Sequence, residues 1–150
     1  MAGVRDHTEL NAWKLSNDLE EAIVPILDRP AFRRYPGHRD QLRRSASGPG
    51  PNIAEGFSRY YPKENVPFVR TAKSSLTETI AHLDKARLRG IITKDECDDL
   101  CRLARRARGA TTQYLLYLES APPPPPGRRR RRTPEPEPEP EPRNPGTEPQ

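Results

Sequence analysis

Groups able to act as nucleophiles or metal ligands are few in this chain. Cys97 and Cys101 stand four residues apart, and the three histidines, His7, His38 and His82, are scattered. Four-residue spacing on a helix turns both thiols to one face. A two-cysteine metal site needs more ligands, however, and the histidines supply none at a recognisable spacing. The thiols therefore read as small buried apolar groups, and no metal or other cofactor is expected. The chain has no Gly-x-Ser-x-Gly elbow and no Gly-rich loop ending in Lys-Ser/Thr, and no Ser-His-Asp set can be placed. The acid pairs Glu20-Glu21 and Asp98-Asp99 read as helix-surface charges, so a non-enzymatic protein is expected.

Arginine is the stronger chemical lead. Arg33, Arg34, Arg39, Arg43 and Arg44 cluster in one stretch, and Arg102, Arg105, Arg106 and Arg108 in another; Arg59, Arg70 and Lys73 lie between them. Guanidinium forks match phosphate oxygens. Arg39, Arg43, Arg44, Arg59, Arg70, Lys73, Arg102, Arg105 and Arg106 are thus the candidate contacts to RNA or DNA, without sequence choice and weakening with salt. The competing reading is an ordinary solvated helix surface. Residues 1–120 carry 20 basic and 16 acidic side chains, a net of only +4.

The elements that must position these groups lie in the first 120 residues. The chain of 150 residues joins two materials near Ser120. Residues 121–150 hold 12 of the 19 prolines, six arginines, five glutamates and one apolar residue, Ala121. Such a segment cannot bury enough surface to offset its ordering entropy, so a disordered Pro/Arg/Glu-rich tail is expected, with polyproline II at Pro122–Pro126. It reads as a solubilising tail; its arginines, Arg128–Arg132, could otherwise meet nucleic acid or an acidic partner, without sequence choice. Residues 1–120 are long enough for one domain and too short for two. No apolar run approaches the roughly 20 residues that span a bilayer, and no signal-peptide pattern opens the chain. Two cysteines make no disulfide framework, so a cytoplasmic protein without membrane contact is expected.

Apolar periodicity within 1–120 is helical throughout. Leu10, Trp13, Leu15, Leu19, Ala22, Ile23, Ile26 and Leu27 mark a first helix, with Asp6 and Glu9 or Thr8 at its capped start. Pro25 should kink it, and Pro30 should help end it near Asp28. A second helix is expected from Gly37 to Arg59, broken at Gly48-Pro49-Gly50-Pro51 and resuming at Asn52. A third runs from Pro62 or Lys63 to Leu88, carrying Phe68, Ala72, Leu76, Ile80, Leu83 and Leu88, with Gly90 to end it. Thr93-Lys-Asp-Glu96 is a capping box opening a fourth, whose face reads Cys97, Leu100, Cys101, Ala104, Ala107, Ala110, Tyr114, Leu115 and Leu118. Arg102, Arg105 and Arg106 fall on its outward side. The fold class is all-α, an antiparallel up-and-down four-helix bundle. Leu19, Leu76 and Leu115 should meet inside it.

Asn52, Glu55 and Arg59 share one helix face, and Gly56, without a side chain, either permits close approach of a neighbouring helix or ends the short one. Glu55 and Arg59 can pair, and Asn52 can cap a helix resuming after Pro51. The favoured reading is a hydrogen-bonded joint between the second and third helices; the alternative is a partner or nucleic-acid contact. Asn52–Arg59 also resembles the first half of a helix-turn-helix reader. That reading fails because Pro62 and Pro67 disturb the place of a recognition helix.

The run Gln41-Leu-Arg-Arg-Ser-Ala46 followed by Asn52-Ile-Ala-Glu-Gly-Phe-Ser-Arg59 resembles the hallmark of the 23S rRNA intervening-sequence proteins. Leu10-Asn-Ala-Trp13 is similar to that family's first-helix L-x-x-W. Phe68, Ala72, Ser75, Leu76 and Glu78 are similar to its third-helix pattern. The likeness covers residues 8–119 and departs from the family at Gly48–Pro51; the tail has no counterpart. It implies a non-enzymatic helical bundle, often a homo-oligomeric ring of five. Relatives include accessory proteins of diversity-generating retroelements, which implies a nucleic acid and a reverse transcriptase as partners. The expected function is an oligomeric adaptor that binds nucleic acid through surface arginines. The alternative is a protein-binding scaffold using the bundle and the proline-rich tail.

Overall fold

A computed structural model describes residues 3–125, and every regular element among them is helical. Five α-helices follow one another: α1 (Asn11–Leu27), α2 (Pro36–Ser47), α3 (Pro49–Phe57), α4 (Pro62–Leu88) and α5 (Lys94–Ser120). Short 3₁₀ turns, His7–Glu9 and Pro30–Arg34, precede α1 and α2. Only Gly48 separates α2 from α3, so the two form one interrupted rod and the described residues make four helices with no strand. At 27 residues each, α4 and α5 are roughly 40 Å long. They pack most extensively on each other. On this pair, α1 lies against α5, while α2 and α3 lie against α4.

The start of α5 follows from its sequence. Thr93 Oγ1 accepts from the Glu96 amide at 3.1 Å, and Glu96 Oε1 accepts from the Thr93 amide at 3.0 Å, completing the capping box. The end of α4 is equally local. Gly90 takes φ +70°, its amide donates to Arg87 O at 2.9 Å, and the Ile91 amide donates to Ala86 O at 2.9 Å. This paired closure needs a left-handed residue, which glycine supplies without strain.

Three expectations change. Asp6 caps the 3₁₀ turn rather than α1, accepting from the Thr8 amide at 2.9 Å; α1 opens at Asn11 behind an uncapped Leu10. The expected break at Gly48–Pro51 is instead a helical joint. Gly48 sits at φ −71°, ψ −40°, its amide donates to Arg44 O at 3.0 Å, and its own carbonyl accepts from the Asn52 amide at 3.3 Å. Pro49 and Pro51 fall in the first turn of α3, where a missing amide hydrogen costs least and a fixed φ already suits a helix. Asn52 therefore caps nothing; its Nδ2 donates to Gly48 O at 2.9 Å from one turn inside α3. Third, Leu88 is 84% exposed and Ala22 is exposed, both off the buried stripes of their helices. Helix α1 meanwhile continues past Pro25 to Leu27.

The interior divides into two clusters. Leu19, Ile23, Phe32, Leu42, Leu76, Leu83 and the buried α5 residues Cys97 to Ala107 form one. Leu10, Ile53, Val66, Val69, Tyr114, Leu115 and Leu118 form the other. Leu19 and Leu76 thus share a core, while Leu115 belongs to its neighbour. The buried hydroxyls Ser16, Thr79 and Thr111 each donate to the carbonyl four residues back, at 2.7–2.8 Å, so they enter the core with their donors satisfied.

Candidate nucleic-acid interface

The outward face of α5 carries three of the candidate arginines. Arg102, Arg105 and Arg106 follow at helical spacings of three and four, are all exposed, and with Asp98 line a shallow depression of about 470 Å³. Arg102 is bound at 3.2 Å to Asp99. Arg105 and Arg106 have no ion pair or side-chain hydrogen bond among the described residues. On α4, Arg70 and Lys73 line a second depression of about 580 Å³ with Thr77, Glu78 and Leu115. Arg70 reaches Glu119 at 2.7 Å, and Lys73 is unpaired among the described residues.

The remaining candidate arginines have other tasks. Arg39 Nε donates to Leu27 O at 2.7 Å and its Nη2 lies 3.6 Å from Asp28, so it satisfies the carbonyl end of α1. Arg43 stands 3.9 Å from Asp40, and exposed Arg44 has no side-chain partner among the described residues. Arg59 donates to Glu55 at 2.6 Å and its guanidinium lies 4.9 Å from the centre of the Phe68 ring. The Glu55 contact is local to the end of α3, and it is the stacking on Phe68 that reaches α4. Gly56 completes the joint: a Cβ there would lie 2.0 Å from Asn65 Oδ1 and 3.0 Å from Phe68 Cβ, so only glycine permits this approach. Asn65, 4% exposed, donates through Nδ2 to the Tyr114 hydroxyl at 2.6 Å.

A family model described as 23S rRNA-intervening sequence protein matches residues 8–112 of this chain, through the joint and most of the α5 face. The chain belongs to that family. No curated protein matches it. In this 23S rRNA-intervening sequence family member, no helix among the described residues is long and apolar enough to cross a membrane.

Several groups come together that the linear sequence kept apart. His38 and His82 meet: His38 Nε2 donates to His82 O at 2.9 Å, with ring centres 5.7 Å apart. Burial is the main cause that pushes both imidazoles below their usual range. Arg29 forms a two-pronged bond to Glu96, one arm at 2.9 Å, and also donates to Ile91 O at 3.1 Å, locking the end of α1 to the start of α5. The Arg29 guanidinium and the capping amides hold the Glu96 carboxyl down at about 2. Asp84 of α4 joins the two cysteines of α5. Its Oδ1 accepts from Cys97 Sγ at 3.6 Å and Cys101 Sγ at 3.9 Å, and the sulfurs stand 3.8 Å apart. Reading the sequence for histidine ligands missed this carboxylate. The only local signal was Asp84 beside Leu83 on the buried stripe of α4. The tail arginines Arg128–Arg132 and the expected disorder of 126–150 lie outside the described residues; 121–125 have no regular structure.

Proposed function

We propose that this protein is a non-enzymatic, oligomeric helical adaptor that binds RNA or DNA through the outward arginines of α5, without reading sequence. The observation that carries this is the depression lined by Arg102, Arg105 and Arg106, in which two guanidinium groups have no acidic partner among the described residues. Unneutralised forks spaced along one helix face suit successive phosphates. On this reading residues 1–120 form one domain, an antiparallel up-and-down bundle, which the short connectors between packed helices favour. A cytoplasmic location, a ring of five and a reverse-transcriptase partner come from the sequence and family resemblance and complete the proposal.

An apolar surface favours assembly, and equally a protein scaffold. Leu116 and Tyr117 are 53% and 41% exposed, and Tyr117 lines a groove of about 350 Å³ with Val4, Leu10, Ala110 and Tyr114. Light scattering after size exclusion checks assembly, and a monomer refutes it. Salt-titrated binding to generic RNA and duplex DNA checks the interface. Replacing Arg105 and Arg106 with Ala should reduce the log–log salt slope by about two. A slope untouched by the double substitution, or no binding at low salt, leaves the scaffold reading.

A further inference from the structure

The Asp84–Cys97–Cys101 cluster has a geometry that hydrogen bonding does not demand. Two sulfurs at about 2.3 Å from a tetrahedral zinc ion lie roughly 3.8 Å apart, and a carboxylate oxygen at about 2.1 Å lies roughly 3.6 Å from each sulfur. The observed separations are 3.8 Å between the sulfurs and 3.6 and 3.9 Å from Asp84 Oδ1 to Cys97 and Cys101. All three edges of a tetrahedral ligand face are therefore in place before any ion binds. The ligands come from two helices whose mutual packing is the most extensive in the fold, so the face is held rigidly.

Oxidation to a disulfide does not explain the arrangement. Residues four apart on a helix hold their Cβ atoms about 5–6 Å apart. A disulfide requires about 3.5–4.5 Å, so α5 would have to unwind. An ion bridges sulfurs at the observed spacing without moving the helix. We propose that Asp84, Cys97 and Cys101 form a binding site for one zinc-class divalent ion, which pins the start of α5 to the end of α4.

Access fits this site: Cys97 and Cys101 are each 2% exposed, whereas Asp84 is exposed. Binding replaces both thiol protons: two S–H bonds break, two metal–sulfur bonds form, and two protons leave to solvent. The bound set, two thiolates and a carboxylate on a divalent ion, carries a charge of −1.

Cobalt(II) is the probe, added to the reduced full-length chain without oxygen. The expected result is one equivalent bound with visible bands of a tetrahedral ion and a thiolate-to-metal charge-transfer band, both lost when zinc displaces cobalt. Affinity should rise about 100-fold per pH unit near neutrality, because two protons are released. Asp84→Asn, on an exposed side chain and so compatible with folding, should weaken binding at least tenfold. Absence of the charge-transfer band up to millimolar cobalt overturns the proposal. So does a band whose strength and affinity are the same in Asp84→Asn. Neither result touches the arginine face, which is tested separately.

Discussion

Removing the Arg29–Glu96 contact tests how α1 is fastened to α5. The Glu96 carboxyl sits at about 2 against an ordinary 4.5, which proton linkage converts to at most about 3.4 kcal/mol. The two side chains retain 37% and 32% of their exposure, so solvent screening reduces the contribution to about 1–2 kcal/mol. Glu96→Gln isolates the charge, since glutamine can still accept from the Thr93 amide in the capping box. A double-mutant cycle of Glu96→Gln with Arg29→Met, followed by urea unfolding at several pH values, gives the coupling. A carboxyl whose folded pKa is depressed contributes above its unfolded value and loses that contribution as pH falls toward the folded one. The coupling should therefore be full above about pH 4.5 and fade between there and about pH 2. A coupling below about 0.3 kcal/mol at neutral pH, within the error of additivity, would refute the reasoning. So would a coupling that ignores pH.

Two further substitutions probe the joint between α3 and α4. Gly56→Ala places a methyl group 2.0 Å from Asn65 Oδ1, so α3 must move off α4 and thermal stability should fall by about 1–3 kcal/mol. An unchanged melting temperature would show that the joint yields freely. Tyr114→Phe removes the acceptor of the Asn65 amide, leaving a buried donor unpaired at about 1–3 kcal/mol, measured by urea unfolding. Full stability in that variant would mean that water or a rotated amide restores the bond.

What the sequence made readable was local. The Thr93–Glu96 box, the Gly90 stop and the α5 stripe from Cys97 to Leu118 each depend on residues within one or two turns, and each is present. The Gly48–Pro51 stretch misleads because proline and glycine usually interrupt a helix. Whether they do depends on which turn they occupy, and packing against α4 decides that. Leu88 misleads because an apolar residue near a helix end needs only a small change in phase to face solvent. The Glu55–Arg59 pair was visible at its four-residue spacing. The Arg29–Glu96 lock and the Asp84–cysteine cluster span 67 and 13–17 residues and arise only once helices meet. Among the candidate arginines, those already engaged by acids or carbonyls could not be told from unengaged ones until their neighbours were placed.

The packing of α1 against α5 has a consequence for how the chain is made. The connector between α4 and α5 is short, so that pair can zip together at little entropic cost once both are synthesised. Helix α1 rests only in part on the helices that follow it directly, α2 and α3. The single helix it packs on most, α5, is made after the other four, so until then Leu19, Ile23 and Ile26 lack part of their cover. A nascent chain stalled within α5 would therefore show part of the greasy face of α1 to chaperones, and release of that hold would coincide with completion of α5.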